Sequence, residues 1–187
     1  MSVIASLRDE YKRYKLLAEA AIAQVGDEEI AYAGQDGNNS IEMLIRHVAG
    51  NLKSRFTDFR TSDGEKPWRR RDDEFEVGRL SRQELLQMWE DGWNVLQGEL
   101  AKLSDADLSE TVSVRKQPLR IDEALHRSLA NVAYHVGQIV FMAKAMRGGA
   151  WQTLSIPRGK SEEYNRQATS ETAAAHAATL ANRVQKA

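Results

Sequence analysis

The stretch NVAYHVGQIV, residues 131–140, has the apolar spacing of a buried helix and also carries three polar side chains. Its apolar residues recur every three to four positions, which is the period of a helix with one buried face. Asn131, His135 and Gln138 follow the same spacing and therefore form a polar line along that helix. Such a line predicts either a functional site or a seam of hydrogen bonds within a helical core.

Four segments of the chain repeat this helical period. They span about residues 2–25, 40–60, 82–103 and 122–147. The second opens with NSIE, in which Asn39 caps the helix and Glu42 reaches back, and SRQE opens the third in the same way. Two glycines end the fourth. Helices with one apolar face bury those faces against each other, so we predict an all-α fold, an up-down four-helix bundle.

Residues 60–80, RTSDGEKPWRRRDDEFEVGRL, form a long loop of mixed charge between the second and third helices. A loop of this length in a compact domain is functional or disordered, and Trp68 and Phe75 indicate that part of it packs on the helices. Its basic residues either line the rim of a site for an anionic substrate or pair with acids of the same loop. These residues are Lys66, Arg69, Arg70 and Arg71.

Two further segments lie outside the helical pattern. ETVSVRKQPLRI, residues 110–121, alternates apolar and polar residues around a proline, which predicts a short hairpin or an extended connection. The Ala-rich residues 167–187 predict a weak helix, a helical arm on a partner, or no stable structure. We therefore expect a helical domain over residues 1–166 and a C-terminal tail over 167–187.

The composition restricts the classes of function. The chain has 187 residues, 28% of them charged, and a formal net charge of −1. This balance gives no reason to expect binding to nucleic acid or to an anionic membrane. There is no cysteine, so thiolate nucleophiles and cysteine-based zinc sites are excluded. Since the charged N-terminus lacks the pattern of a signal peptide, we expect a cytoplasmic protein.

A second polar line runs along the second helix, where His47 and Asn51 are four residues apart. If the two lines face each other, His47 and His135 meet in the interior, where helical bundles build metal and ligand sites. The alternative is that both histidines are hydrogen-bonded core residues. Asn131 would be a weak neutral donor to a metal. His126 lies nine residues before His135, on the opposite side of the helix, and is predicted to lie outside the site.

Several long strings of the sequence resemble the DinB/YfiT-like superfamily, in a branch whose activity is unknown. They are NSIEMLIRHVAGNLKSRFTDF, DGEKPWRRRDDEF, ALHRSLANVAYHVGQIVFMAKAMRG and LSIPRGKSEEYN. The resemblance extends in register over residues 1–166. It implies a four-helix bundle, often dimeric, that holds Zn or Ni on three histidines. His47 matches the ligand of the second helix and His135 the second member of an H-x-x-x-H pair, whereas Asn131 stands where the first member is expected.

The resemblance implies two classes of function. Related branches include thiol S-transferases that use bacillithiol or mycothiol, and a mycothiol-dependent isomerase. The first hypothesis is a metal-dependent hydrolase or thiol transferase with a low-molecular-weight thiol as a second cofactor. Asn51 and Gln138 would support its ligands, and Asp58 or a water would replace the missing one. The alternative is a non-catalytic module for small-molecule binding or dimerisation, with a degenerate metal site. We expect a homodimer in both cases.

Overall fold

The fold is given by a computed structural model, which describes residues 2–34, 37–78, 80–167 and 171–184. Four long helices dominate it: α1 (Val3–Ile22), α3 (Ile41–Phe56), α4 (Arg82–Lys102) and α5 (Ile121–Arg147). Shorter helices are α2 (Asp27–Ala31), α6 (Ser161–Arg166) and α7 (Ala173–Val184). The strands are β1 (Thr111–Val114) and β2 (Gln117–Arg120), and single 3-10 turns cover Asp72–Phe75, Asp105–Ser109 and Gly148–Ala150.

Local signals in the sequence determine where the long helices begin and end. The hydroxyl of Ser81 accepts a hydrogen bond from the backbone N–H of Glu84, whose carboxylate accepts one from the Ser81 N–H, as predicted. The cap of α3 lies one residue later than expected, because Ser40 and not Asn39 accepts from the Met43 N–H. Gly148, with a φ of 51°, ends α5.

The apolar faces of the long helices pack into one core. α3 packs on α4 and α5, and α1 packs on α4 and α5. Trp89 and Trp93 of α4 are fully buried, and the hydroxyl of Tyr11 donates a hydrogen bond of 2.9 Å to the carbonyl of Leu125. The all-α class is therefore confirmed, while the up-down order of a four-helix bundle stays a prediction. In the described parts of the chain, no helix is both long and apolar enough to span a membrane.

The predicted hairpin is present as the antiparallel pair β1 and β2. Arg115 and Lys116 form its turn with φ angles of 54° and 62°, a conformation that non-glycine residues rarely adopt. The carboxylate of Asp63 accepts hydrogen bonds from the backbone N–H groups of both turn residues, at 2.8 and 2.7 Å. Asp63 therefore links the long loop to the hairpin and holds the turn in its strained conformation.

We predict that this link weakens in acid. Hydrogen bonds from the Ser113 hydroxyl and from the backbone N–H groups of Glu65, Lys116 and Arg115 hold the pKa of Asp63 well below its usual range. The contribution of Asp63 to the free energy of unfolding is thus fully present above its pKa in the unfolded chain, which is about 3.9. It is lost as the pH falls through the lower pKa of the folded protein.

Urea unfolding of wild type and Asp63→Asn at several pH values tests this expectation. The free-energy difference between the two proteins should be largest near neutral pH and should shrink towards pH 2. Asp72→Asn, which changes a carboxylate that is 97% exposed, is the matched control. A difference that stays constant with pH would contradict the role given to Asp63.

The Ala-rich tail forms a helix and packs on its own chain. Ala177 and Leu180 of α7 are buried, and α7 lies against α1. The Arg183 guanidinium donates to the backbone carbonyl of Thr153. Of the three alternatives for the tail, a helix is the one observed, while its residues 168–170 and 185–187 lie outside the described part. The boundary at residue 166 stays a prediction.

Candidate functional site

The two polar lines of α3 and α5 meet at a pair of histidines. His47 and His135 are both buried, and their ring centroids are 4.7 Å apart with an interplanar angle of 72°. The centroid of the Phe75 ring, from the long loop, lies 4.8 Å from that of His47. The loop thus packs against the histidine pair through Phe75, as predicted.

A buried carboxylate orients His47. Glu74, in the 3-10 turn of the loop, lies 2.9 Å from His47 Nδ1 through its Oε2 atom. The guanidinium of Arg69 donates two hydrogen bonds of 2.8 Å to the same carboxylate, and its side chain is only 2% exposed. Burial raises the pKa of Glu74, but hydrogen bonds from His47 and Arg69 and the Arg69 charge outweigh it and hold that pKa below its usual value.

This arrangement determines which nitrogen of His47 is available. A charged carboxylate only accepts hydrogen bonds, so Nδ1 of His47 carries the proton that faces Glu74. In the neutral imidazole, Nε2 then carries the lone pair. Metal-binding histidines in proteins commonly have such a carboxylate on the nitrogen that does not bind the metal. The neutral form of His47 therefore has the tautomer that a metal ligand requires.

Two polar atoms of α5 in this region have no hydrogen-bond partner among the described residues. They are Nδ1 of His135 and Oδ1 of Asn131, and both are buried. Burial, and then the charges of His47 and Arg71, lower the pKa of His135 to about 4, so that its imidazole is neutral at pH 7. A buried polar atom without a partner destabilises the fold. The amide oxygen of Asn131, and Nδ1 of His135 in the tautomer that leaves it unprotonated, are electron donors that a cation would satisfy.

The other polar residues considered from the sequence lie in separate parts of the structure. Asn51 lines the same cleft as His47 and Asn131. Gln138 lines a separate groove with Tyr32 and Phe141, and the structure does not bring it to that cleft. Asp58 is exposed at the end of α3, and His126 is exposed on α5.

The ligand count follows from this placement. In the part of the chain that the structure describes, no group of three or more His, Cys, Asp or Glu side chains is arranged to hold a metal. Three protein donors are reached only when the amide oxygen of Asn131 is included.

Most of the loop's basic residues pair within the loop. Arg70 pairs with Asp73 at 2.8 Å, Arg69 with Glu74, and Lys66 donates to Ser62 and to the carbonyl of Asp63. Arg71 lies 3.5 Å from Asp72 of the same loop, and it also lines the cleft beside His47, with its guanidinium 5.0 Å from the Phe75 ring. Trp68 is 51% exposed, so the prediction that it packs on the body is wrong.

Sequence reasoning missed the role of Glu74. It stands among Asp72, Asp73 and Glu76, in a segment without periodicity, and 27 residues separate it from His47. Nothing local distinguishes it from its acidic neighbours. Glu74 reaches His47 only because the loop folds back across α3.

A family model described as "Protein of unknown function (DUF1572)" matches residues 1–160. The chain belongs to the DUF1572 family. No curated protein and no solved structure matches the chain. The DUF1572 region contains the four long helices, the hairpin and every residue of the histidine site, and it ends before α6.

Gly50 leaves room for the carboxylate of Glu74 within the DUF1572 region. A Cβ atom at this position would lie 2.3 Å from Oε1 of Glu74, which is held in place by Arg69 and His47. Replacing a helical glycine with alanine normally stabilises by about 1 kcal/mol. We predict that Gly50→Ala destabilises instead, because it displaces Glu74 from both of its partners.

Thermal unfolding of Gly50→Ala measures this effect. Gly98→Ala is the matched control, because Gly98 lies in α4 and nothing would be within 4 Å of its added Cβ. We expect Gly98→Ala to raise the Tm and Gly50→Ala to lower it. A rise of equal size in both variants would show that the Glu74 carboxylate moves freely.

Proposed function

We propose that this chain is a DinB/YfiT-like protein that holds a divalent cation, Zn or Ni, on His47, His135 and Asn131. Its reaction would be hydrolysis or S-transfer to or from a low-molecular-weight thiol. The observation that carries the proposal is the buried histidine pair, in which Glu74 accepts a hydrogen bond from Nδ1 of His47. Cytoplasmic location and the DinB-like relationship belong to the same proposal.

The chemistry of the donors fits a divalent cation. Zinc and nickel accept imidazole nitrogen as a ligand, and zinc–nitrogen distances are about 2.0–2.1 Å. Two imidazole rings whose centroids are 4.7 Å apart can both reach one ion. The amide oxygen of Asn131, buried and without a partner, is a weaker third donor. A site with three protein donors leaves a position for a substrate atom.

The chain's own residues have separable parts in this site. A divalent ion bound there would supply Lewis acidity, which lowers the pKa of a water or thiol that reaches it. Glu74 fixes the orientation of His47, and Arg69 holds Glu74 in its charged form. The ring of Phe75 packs against that of His47, with 4.8 Å between the ring centroids. His135 stays neutral at pH 7 and can therefore act as a donor to a cation.

A second candidate is a non-catalytic module for small-molecule binding or dimerisation, in which the metal site is degenerate. The presence of Asn131 where the resemblance places a histidine favours it, as does the lack of a third acidic or histidine ligand among the described residues. The exposed side chains of Tyr134 and Phe141 on α5, at 67% and 73%, support the homodimer in either case.

Thermal shift with added Zn²⁺ or Ni²⁺ tests the metal proposal. A ligand at 100 times its Kd stabilises the fold by about 2.7 kcal/mol, so metal should raise the Tm of the metal-free protein by several degrees. His47→Ala should abolish the shift, whereas His126→Ala, which changes an exposed histidine of α5, should keep it. A wild-type Tm that does not respond to either metal would favour the second candidate.

A further inference from the structure

A cleft of about 360 Å³ opens beside His47, between α3, α5 and the hairpin. Four arginines line it, and no aspartate or glutamate is among its lining residues. The arginines are Arg55 of α3, Arg71 of the loop, Arg115 of the hairpin turn and Arg127 of α5. They come from four separate segments of the chain, so only the folded structure brings them together.

The acids near these arginines neutralise them incompletely. Arg55 and Arg115 share one carboxylate, that of Glu65, at 3.2 and 2.8 Å. Arg71 lies 3.5 Å from Asp72, an almost fully exposed group, and exposed pairs of this kind contribute little. The exposed side chain of Arg127 makes no hydrogen bond or ion pair with any residue that the structure describes. Because a cleft with low-dielectric walls concentrates such charge, its interior is positive.

Apolar side chains also line the cleft. They include Phe56 and Phe59, which are almost fully buried, and Leu119 of the hairpin. The cleft thus combines guanidinium donors with apolar side chains, a combination typical of ligand sites that orient a polar group on an apolar body.

We propose that this cleft binds an organic anion, a molecule with a carboxylate or phosphate group on a small apolar or aromatic body. Arginine recognises both groups through paired N–H donors, and Arg71 and Arg127 are the two whose donors are least occupied. The inference deepens the proposed function by naming its substrate class, and it rests on that function only for the reaction that follows binding. The charges that bind the anion belong to the protein and do not require a metal.

Calorimetric titration with three probes that share a phenyl ring tests this inference: benzoate, phenyl phosphate and neutral benzamide. The buffer is freed of metal with a chelating resin. The variants are Arg127→Gln and Arg71→Gln. Arg70→Gln is the matched control, because Arg70 is next to Arg71 in sequence but pairs with Asp73 and does not line the cleft.

We expect benzoate or phenyl phosphate to bind saturably and benzamide not to bind. Each cleft variant should weaken anion binding about tenfold, the value of a lost hydrogen bond to a charged group, and Arg70→Gln should not change it. The tighter of the two anions identifies the head group. The proposal is overturned if neither anion binds, if benzamide binds as well as they do, or if all three variants weaken binding equally.

Failure of this inference is distinguishable from failure of the metal site. Anion binding is measured without metal, and metal binding is measured without an added anion. Binding of benzoate without binding of metal would support the anion cleft and contradict the metal-dependent reaction. Binding of metal without binding of any of the three probes would support the metal site and contradict the anion cleft.

Discussion

Asn131→His should raise the affinity of the chain for Zn²⁺ or Ni²⁺ by more than the 10–100-fold that supporting residues around a metal are typically worth. The substitution exchanges a weak amide oxygen for an imidazole nitrogen, which suits both metals better. Residues 131 and 135 are one helical turn apart, so the new ring lies on the face that already carries His135. Asn131 borders the open cleft, which leaves space for the larger side chain.

Competition with a chromogenic chelator measures the affinities of wild type and variant on one scale. Lys144→His is the matched control, because it adds an exposed histidine to the same helix, nine residues beyond His135. The control should leave the metal affinity unchanged. If Asn131→His gains no more than Lys144→His, then residue 131 does not face the ion and the proposed ligand set is wrong.

Glu74→Ala should be strongly destabilising. It leaves Arg69, whose side chain is 2% exposed, without the carboxylate that accepts both of its hydrogen bonds. Removing one partner of a buried ion pair costs about 3–5 kcal/mol, because the remaining charge stays buried. The same substitution leaves His47 without its Nδ1 partner, so metal affinity should fall about 10–100-fold.

Urea unfolding of Glu74→Ala and of Asp72→Ala separates this effect from the general loss of a loop carboxylate. Asp72 is almost fully exposed, and its removal should change the free energy of unfolding by no more than about 0.5 kcal/mol. The double variant Arg69→Leu/Glu74→Leu removes both charges and should recover most of the stability, but not the metal affinity. Equal effects of Glu74→Ala and Asp72→Ala would contradict the buried ion pair.

Periodicity predicted the helices and the meeting of His47 with His135, because a helix that buries one face repeats its apolar residues along the chain. The same spacing predicted that Asn51 and Asn131 lie near the histidines, and both line the cleft beside His47. Gln138 lies three residues beyond His135 and lines another groove. Spacing along one helix gives the direction of a side chain around that helix. It does not show which other part of the chain packs against that side.

The loop over residues 60–80 shows why the rest of the site could not be predicted. Its important contacts join residues far apart in sequence: Glu74 with His47, and Asp63 with the turn at Arg115. No repeating pattern marks them, since the segment has acids and bases at almost every position. Aromatic character alone suggested that Trp68 packs inward, yet Trp68 is exposed and Phe75 is the aromatic residue that packs on His47.

The metal content of protein purified without an affinity tag, measured by elemental mass spectrometry, decides whether His47, His135 and Asn131 hold an ion. We expect close to one Zn or Ni per chain in wild type and in His126→Ala, and loss of that metal in His135→Ala. An empty wild type together with a metal-loaded Asn131→His variant would contradict it. The chain would then be a DUF1572 protein whose metal site is degenerate, with a function in binding.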